Sequence, residues 1–336
     1  VSSSFDVIVI GAGVLGLASA AELSARGLTV VVVDPGGPNA SSVAAGMIAP
    51  AMEAAQDDLP AAVVEVLKAA RALWPTFAAR NRLQFIEDGA DWRGPGSDEV
   101  EARLTARGFE SRRTATGLHV SNDARVDVAT ALRELGRKAT MVTGVVRAVV
   151  REAGGWTVSL ADGRTLGASR LVLATGAAAA IEGLPSRVAA LVEAVTPIRG
   201  QLAFVPGVTA TTVVRTPAGY AAPAQGGMLI GASMDVGRRD LAPDAIAARD
   251  QLEAVRAMTG LPPGEPEVRV GVRGGLPDGL PAVGSMDGVV LALAPRRNGW
   301  LLAPLVALLV ADAVQGRPPG PHAAALGPDR PGVAPS

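Results

Sequence analysis

Residues 5–34 read FDVIVIGAGVLGLASAAELSARGLTVVVVD, and no other stretch of the chain limits the fold so tightly. Val7, Ile8, Val9 and Ile10 form a continuous apolar run, the mark of a strand covered on both faces. Gly11-Ala12-Gly13-Val14-Leu15-Gly16 fits G-x-G-x-x-G. Leu17–Arg26 carries a helical pattern stopped by Gly27, and Leu28–Val33 is a second buried strand ending at Asp34. Strand, glycine turn, helix and strand in that order make a βαβ unit on a parallel sheet. Gly11 permits the tight turn, Gly13 lets a pyrophosphate approach the backbone, and Gly16 lets the helix pack on the strand. The helix N-terminus then faces the phosphates. Asp34, 18 residues after Gly16, can accept hydrogen bonds from an adenosine ribose. A carboxylate there disfavours a 2′-phosphate, hence NADP, and leaves NAD and FAD open.

What chemistry the chain can run is bounded by what it lacks. It has no cysteine and two histidines, His119 and His322. Disulfides, thiolate nucleophiles and cysteine-ligated metals are excluded, and no metal site is expected. His119 reads as a structural residue on a strand, and His322 lies in the Pro/Gly-rich segment Gly316–Ser336, which is expected to be poorly ordered. Demanding chemistry therefore points to a cofactor. A net charge of -1 argues against a nucleic-acid partner. Of 31 basic residues only Lys68 and Lys138 are lysines, so a lone arginine carries little information. The N-terminus lacks a basic n-region and runs straight into a strand, which suggests a cytoplasmic chain. Trp300–Val314 is almost wholly apolar but shorter than the ~20 residues of a membrane span. It reads as a buried helix with Pro304 in its first turn, so no stable membrane span is expected.

The rest of the chain separates FAD from NAD. Ser41–Pro50 is a run of small residues able to approach a flat ring. Val145–Arg151, Trp156–Leu160 and Arg170–Ala174 read as three strands, with Asp162-Gly163 as a hairpin signal, and the last runs into Thr175-Gly176. To these add Ser42–Pro50 (SVAAGMIAP), Leu171–Gly176 (LVLATG), Pro197–Gln201 (PIRGQ), Tyr220–Pro223 (YAAP) before Leu229–Ser233 (LIGAS), Gly271–Gly284 (GVRGGLPDGLPAVG) and Arg297–Pro304 (RNGWLLAP). In this order, from Phe5 to about Val314, the pieces resemble the D-amino-acid-oxidase-type FAD-dependent oxidoreductases, and among them the glycine oxidases of thiamine biosynthesis.

The resemblance implies non-covalent FAD held by Gly11, Gly13, Gly16, Asp34, Ser42, Ala45, Gly46, Met47, Thr175, Gly176, Asn298, Gly299, Trp300 and Leu301. It implies that Arg273 grips a substrate carboxylate, that Tyr220, the only tyrosine, donates to the same carboxylate, and that Arg297 lies beside the substrate amine. The backbone amides of Asn298–Leu301 would face the flavin's N1 and O2. The substrate would be glycine, sarcosine or a D-amino acid, oxidised by hydride transfer to flavin N5, with O2 giving an imino acid and H2O2. Two alternatives stay open: a D-amino-acid dehydrogenase serving a quinone or protein acceptor, and a non-catalytic flavin-binding module. The sequence departs from the family at Pro295-Arg296, where His and an aromatic are common, and at Gly274, where Pro is common. Arg296 reads as a solvated neighbour, and Asp278-Gly279 as a turn. Met47, Ile48, Met52 and Met228 are candidates for an apolar wall.

The architecture expected is α/β. A two-dinucleotide-fold, Rossmann-like FAD domain would be assembled from residues 5–80, 124–182 and 275–316. A mixed-sheet substrate domain would come from 81–123 and 183–274, with Asp244–Met258 as an amphipathic helix on its outer face. Residues 317–336 would form a disordered tail. Assembly into a homo-oligomer is compatible with all of this.

Overall fold

The computed structural model describes residues 5–57 and 59–333. The chain divides into two compact units: residues 1–42, 131–198 and 273–336 in the first, and 43–130 and 199–272 in the second. This differs from the expected division. Residues 43–80 and 124–130 belong with the second unit, and 183–198 with the first.

The first unit is built on a mixed sheet whose parallel part runs, in spatial order, Thr140–Thr143, Val30–Asp34, Phe5–Ile10, Thr165–Leu173 and Val289–Leu293. Val7, Ile8 and Val9 are fully buried, as a strand covered on both faces requires. Ile8, Ile10, Val31, Val33, Leu171 and Leu173 line one face, where Val188, Leu191 and Val192 of the helix Ser186–Ala194 join the same cluster. The opposite face carries the helices Val14–Ala25 and Gly299–Val314, which pack on each other. The strand Thr165–Leu173 begins five residues earlier than expected. Its first half pairs antiparallel with Gly155–Leu160, and its second half lies between Phe5–Ile10 and Val289–Leu293. One strand thus joins the hairpin to the parallel sheet.

Residues 317–333 correct the expectation of a disordered tail. Leu326 is fully buried, Val333 joins the main core cluster, and the Arg330 guanidinium binds Asp278 at 2.7 Å and the carbonyls of Leu280 and Pro281. The expectation for 334–336 lies outside the described residues.

In the second unit, the described residues form a nine-stranded sheet with a small three-stranded sheet beside it. The helix Ala245–Thr259 covers one face of the larger sheet through Leu252 and Val255, which meet Ala221, Met228 and Ile230. Asp244 caps this helix by accepting from the Ala247 N–H at 3.0 Å, and Gly260 ends it in the left-handed region. The other face holds Leu202, Phe204, Ala222 and Leu229 in one cluster with Ala51, Met52, Ala54 and Ala55 of the helix Pro50–Gln56.

Candidate active site

In the first unit, the strand order reverses direction at Phe5–Ile10, whose neighbours are Val30–Asp34 on one side and Thr165–Leu173 on the other. Ligands of open parallel sheets bind outside the carboxyl ends of the strands at such a point. Two glycine-bearing turns meet there. A Cβ on Gly11 would lie 2.3 Å from the Ala174 carbonyl oxygen, and one on Gly16 would lie 2.0 Å from the Gly11 carbonyl oxygen. Both glycines are therefore demanded by the protein's own packing. Gly13 differs: a Cβ there would meet nothing closer than the Ser41 hydroxyl at 3.4 Å. Its missing side chain leaves room for something outside the fold.

The helix Val14–Ala25 begins inside the glycine motif, three residues earlier than the sequence suggests, and Gly13 is its N-cap without a side-chain bond. First-turn amides have no acceptor within a helix. The Val14 N–H is met by the Ser41 hydroxyl at 2.9 Å. Asp34 at the end of the second strand accepts from Ala12 N–H and from Gly36 N–H, each at 2.7 Å. These bonds fix the carboxylate and use one lone pair on each oxygen, leaving the others available.

The helix Gly299–Val314 runs parallel to Val14–Ala25. A Cβ on Gly299 would come 3.5 Å from Val14, so the N-terminal turns adjoin. At the other end Arg26 binds Asp312 at 2.6 Å, Gln315 at 3.1 Å and Glu22 at 2.9 Å. Two positive helix poles therefore stand side by side, while a guanidinium tempers the two negative ends. Asn298 caps the second helix by position, and its carbonyl accepts from Leu302 N–H. Trp300 and Leu301 are buried, and the Trp300 indole N–H donates to the Ser41 carbonyl at 3.1 Å. Pro304 is the sixth residue of this helix, not part of its first turn, so the Trp300 carbonyl loses its regular donor. Among the described residues no helix is long and apolar enough to cross a membrane.

Arg273 lies near the end of the strand Glu267–Gly275. The residue after it packs directly on the Thr175-Gly176 turn: a Cβ on Gly274 would sit 2.9 Å from the Gly176 carbonyl oxygen and 2.8 Å from Val195. The departure at Gly274 thus has a steric reason. The Gly274 carbonyl accepts from Arg296 N–H at 2.9 Å, and Gly275 bridges to Pro295. Arg296 is exposed in the left-handed region, with its side chain over Gly275 and Gly279. Arg297 is also exposed. Asp278 is held by Arg330 and accepts from Leu280 N–H, as a turn residue does.

The first unit therefore brings together Gly11, Gly13, Gly16, Asp34, Thr175, Gly176, Asn298, Gly299, Trp300 and Leu301, with Ser42 at its boundary and Arg273 and Arg297 on its segments. These residues fit a dinucleotide cofactor. Gly13 leaves a cradle, two helix N-termini supply positive potential, and the Thr175 hydroxyl is buried with no hydrogen-bond partner among the described residues. The sequence marks Ser41 only as the first residue of the small-residue run Ser41–Pro50, not for its contacts with Val14 and Trp300. It ties the loop after the second strand to both helices, and its partners lie 27 and 259 positions away. No local pattern marks those contacts.

Ala45, Gly46, Met47 and Tyr220 belong to the second unit. The run Ser41–Pro50 is less loop-like than expected: Ala40–Val43 is a helical turn, and Met47–Ile48 pairs with Ala124–Arg125. Gly46 has φ +70°, and a Cβ there would lie 2.4 Å from the Val126 carbonyl oxygen. Tyr220 sits opposite Arg215 on one neighbouring strand and Gly231 on the other. Its ring crosses Gly231, where a Cβ would fall 2.7 Å from the phenol oxygen. Met228 is buried under the helix Ala245–Thr259, on the face opposite Tyr220, so it cannot form a wall beside that ring. His119 is the structural residue expected, on the strand Gly117–Val120 with its Nδ1 2.9 Å from Asp91.

Beneath Tyr220 the second unit buries a polar cluster. Arg215 binds Glu53 at 3.1 Å and Gln56 at 3.0 Å, both on the helix Pro50–Gln56. Asp123 accepts from the first amides of that helix, Ala51 N–H at 2.9 Å and Met52 N–H at 3.2 Å. Burial pushes the Asp123 carboxyl up to about 7, against the pull of those amides and of Arg215.

Known proteins resemble this chain over most of its length. The family model described as DAO, FAD dependent oxidoreductase, matches residues 6–313. A curated glycine oxidase from Geobacillus kaustophilus is 30% identical over 93% of each chain. A tRNA 5-methylaminomethyl-2-thiouridine biosynthesis bifunctional protein from Caulobacter is 27% identical over 96% of this chain and 57% of its own length. The crystal structure of glycine oxidase from Geobacillus kaustophilus superposes with a TM-score of 0.80 at 24% identity, covering 96% of this chain and 98% of that one. Iminodiacetate oxidase from Chelativorans gives a TM-score of 0.76 at 23% identity, over 96% and 98%.

Proposed function

The chain belongs to the DAO family of FAD-dependent oxidoreductases, and on that premise we propose that it oxidises glycine, sarcosine or a small D-amino acid to the imino acid, with O2 as acceptor. The enzyme uses FAD and acts on amino acids, as its relatives do. The observation that supports Arg273 as the substrate's carboxylate grip is the packing of Gly274 on the Thr175-Gly176 turn. It sets the residue after Arg273 against the turn proposed to hold the cofactor.

When bound, FAD supplies a two-electron acceptor for the hydride that leaves substrate Cα. The protein's own work is binding and orientation. Arg273 offers two parallel N–H donors to the substrate carboxylate, a charge-assisted grip that fixes Cα in one place. The Tyr220 hydroxyl is a further donor to that carboxylate. Arg297 lies beside the amine and keeps it neutral by disfavouring a second positive charge. The amine then supports the departing hydride with its lone pair, and the resulting iminium loses a proton to solvent and is hydrolysed. No side-chain base is needed. In this reading the helix end at Gly13 would face the cofactor's pyrophosphate, and the one at Asn298 would supply positive potential to the flavin ring. Ala45, Gly46 and Met47 line the cofactor, and a second copy of the chain remains a candidate partner.

A substrate panel in air, read by H2O2 release, tests the reading. Stoichiometric H2O2 with one of the three substrate types is expected. Turnover only with an added dye would move the assignment to a dehydrogenase, and no turnover by either route would overturn it.

A further inference from the structure

Tyr220 and Arg215 are directly opposed across two antiparallel strands, so their side chains share a face of the sheet. The Arg215 guanidinium lies 5.6 Å from the centre of the Tyr220 ring, within the range of a cation–π contact. Arg215 is 7% exposed and Glu53 6%. A guanidinium so deeply placed cannot swing, because its two ends are held by Glu53 and Gln56. Those partners stand on a seven-residue helix that is itself fastened by Asp123, 1% exposed, at its first amides. On the far side of the ring the missing side chain of Gly231 leaves the phenol a bed on the neighbouring strand. The ring is thus confined from below by a clamped cation and from the side by backbone.

We infer that Arg215 is a positioning residue for Tyr220: clamped by Glu53 and Gln56, it fixes the orientation in which the phenol hydroxyl meets the substrate carboxylate. The inference rests on the reading of Tyr220 as a carboxylate donor and adds the device that aims it. Arg215 touches neither substrate nor cofactor. Its loss should raise KM far more than it lowers kcat, because the orientation of a binding donor is lost while the reacting atoms are untouched.

The test is a mutant cycle on the FAD-loaded enzyme, read by the flavin absorbance change on titration with acetate, a carboxylate with no amine to oxidise. Removing Arg215 alone would take the ion pair from the buried Glu53 carboxylate, so the pair Arg215→Met/Glu53→Gln is used, with Arg215→Lys as the charge-preserving variant. Tyr220→Phe should weaken acetate about tenfold, the loss of one hydrogen bond to a charged group. The Arg215→Met/Glu53→Gln pair should weaken it severalfold at unchanged flavin content, and Arg215→Lys should weaken it less. Adding the pair to Tyr220→Phe should produce no further loss. If Tyr220→Phe changes nothing, the reading of Tyr220 fails and the inference with it. If Tyr220→Phe weakens acetate but the pair has no effect, or the same effect with and without the phenol, the inference alone is overturned. A pair that does not retain FAD hands the decision to Arg215→Lys, compared with and without Tyr220→Phe by the same criteria.

Discussion

Gly13 and Gly16 stand three residues apart and should fail differently when replaced by alanine. At Gly16 the added carbon would meet the Gly11 carbonyl at 2.0 Å, so Gly16→Ala should lower the melting temperature of the FAD-free protein itself. At Gly13 the protein offers room, and the approach lost is that of the cofactor. Gly13→Ala should leave the FAD-free melting temperature unchanged and weaken FAD binding, measured by flavin fluorescence on titration. Arg273→Met should raise KM for the amino acid by about 10- to 100-fold, the worth of a charge-assisted hydrogen-bond pair, with FAD retained. An unchanged KM would remove Arg273 from the site. The glycines and Arg273 are legible in the sequence because motif and order mark them. Arg215 and Glu53 are not, since 162 positions separate them and 31 basic residues form a background in which one arginine looks like another. Only folding shows that Arg215, like Arg199, ends up buried.

Helix ends explain much of what the elements do. The helices Val14–Ala25 and Gly299–Val314 start side by side and end on one arginine, so two weak dipoles act at one place. The apolar run of each is visible in the sequence. Their mutual direction is not, because it depends on Arg26 meeting Asp312, 286 positions away. The helix Pro50–Gln56 has its cap supplied from a distance, by Asp123, and that makes stability depend on pH. Asp123 titrates at about 7 in the folded protein, against 3.8 for an ordinary aspartate. Between these values the native state holds a proton that the unfolded chain has released. Stability from this group therefore falls as pH rises from about 4 to about 7, and levels off above. Asp123→Asn should flatten that part of a plot of melting temperature against pH. A slope unchanged by the substitution would contradict the account of Asp123.

At the scale of the whole molecule, all four crossings between the units fall inside regular elements: the turn Ala40–Val43, the helix Val128–Gly136, and the strands Thr196–Pro206 and Glu267–Gly275. No Pro/Gly-rich linker marks them, so composition could not place the boundaries. The C-terminal segment shows the opposite mismatch, since its composition suggests disorder while Leu326, Arg330 and Val333 pack onto the first unit. Leu326→Ala should cost about 2–5 kcal/mol, seen as a lower melting temperature. The α/β class and the cofactor were readable because a dinucleotide site is written in consecutive residues. The substrate is not so written, since the residues proposed to grip it are scattered along the chain. The central claim is that this enzyme takes a hydride equivalent from an amino acid into its flavin. Its most direct test is anaerobic mixing of the purified yellow protein with glycine, sarcosine and D-alanine, followed at the flavin absorbance band. Bleaching by at least one of them, reversed when air is admitted, is the result expected. A flavin that stays oxidised with every primary and secondary amino acid tried would contradict it.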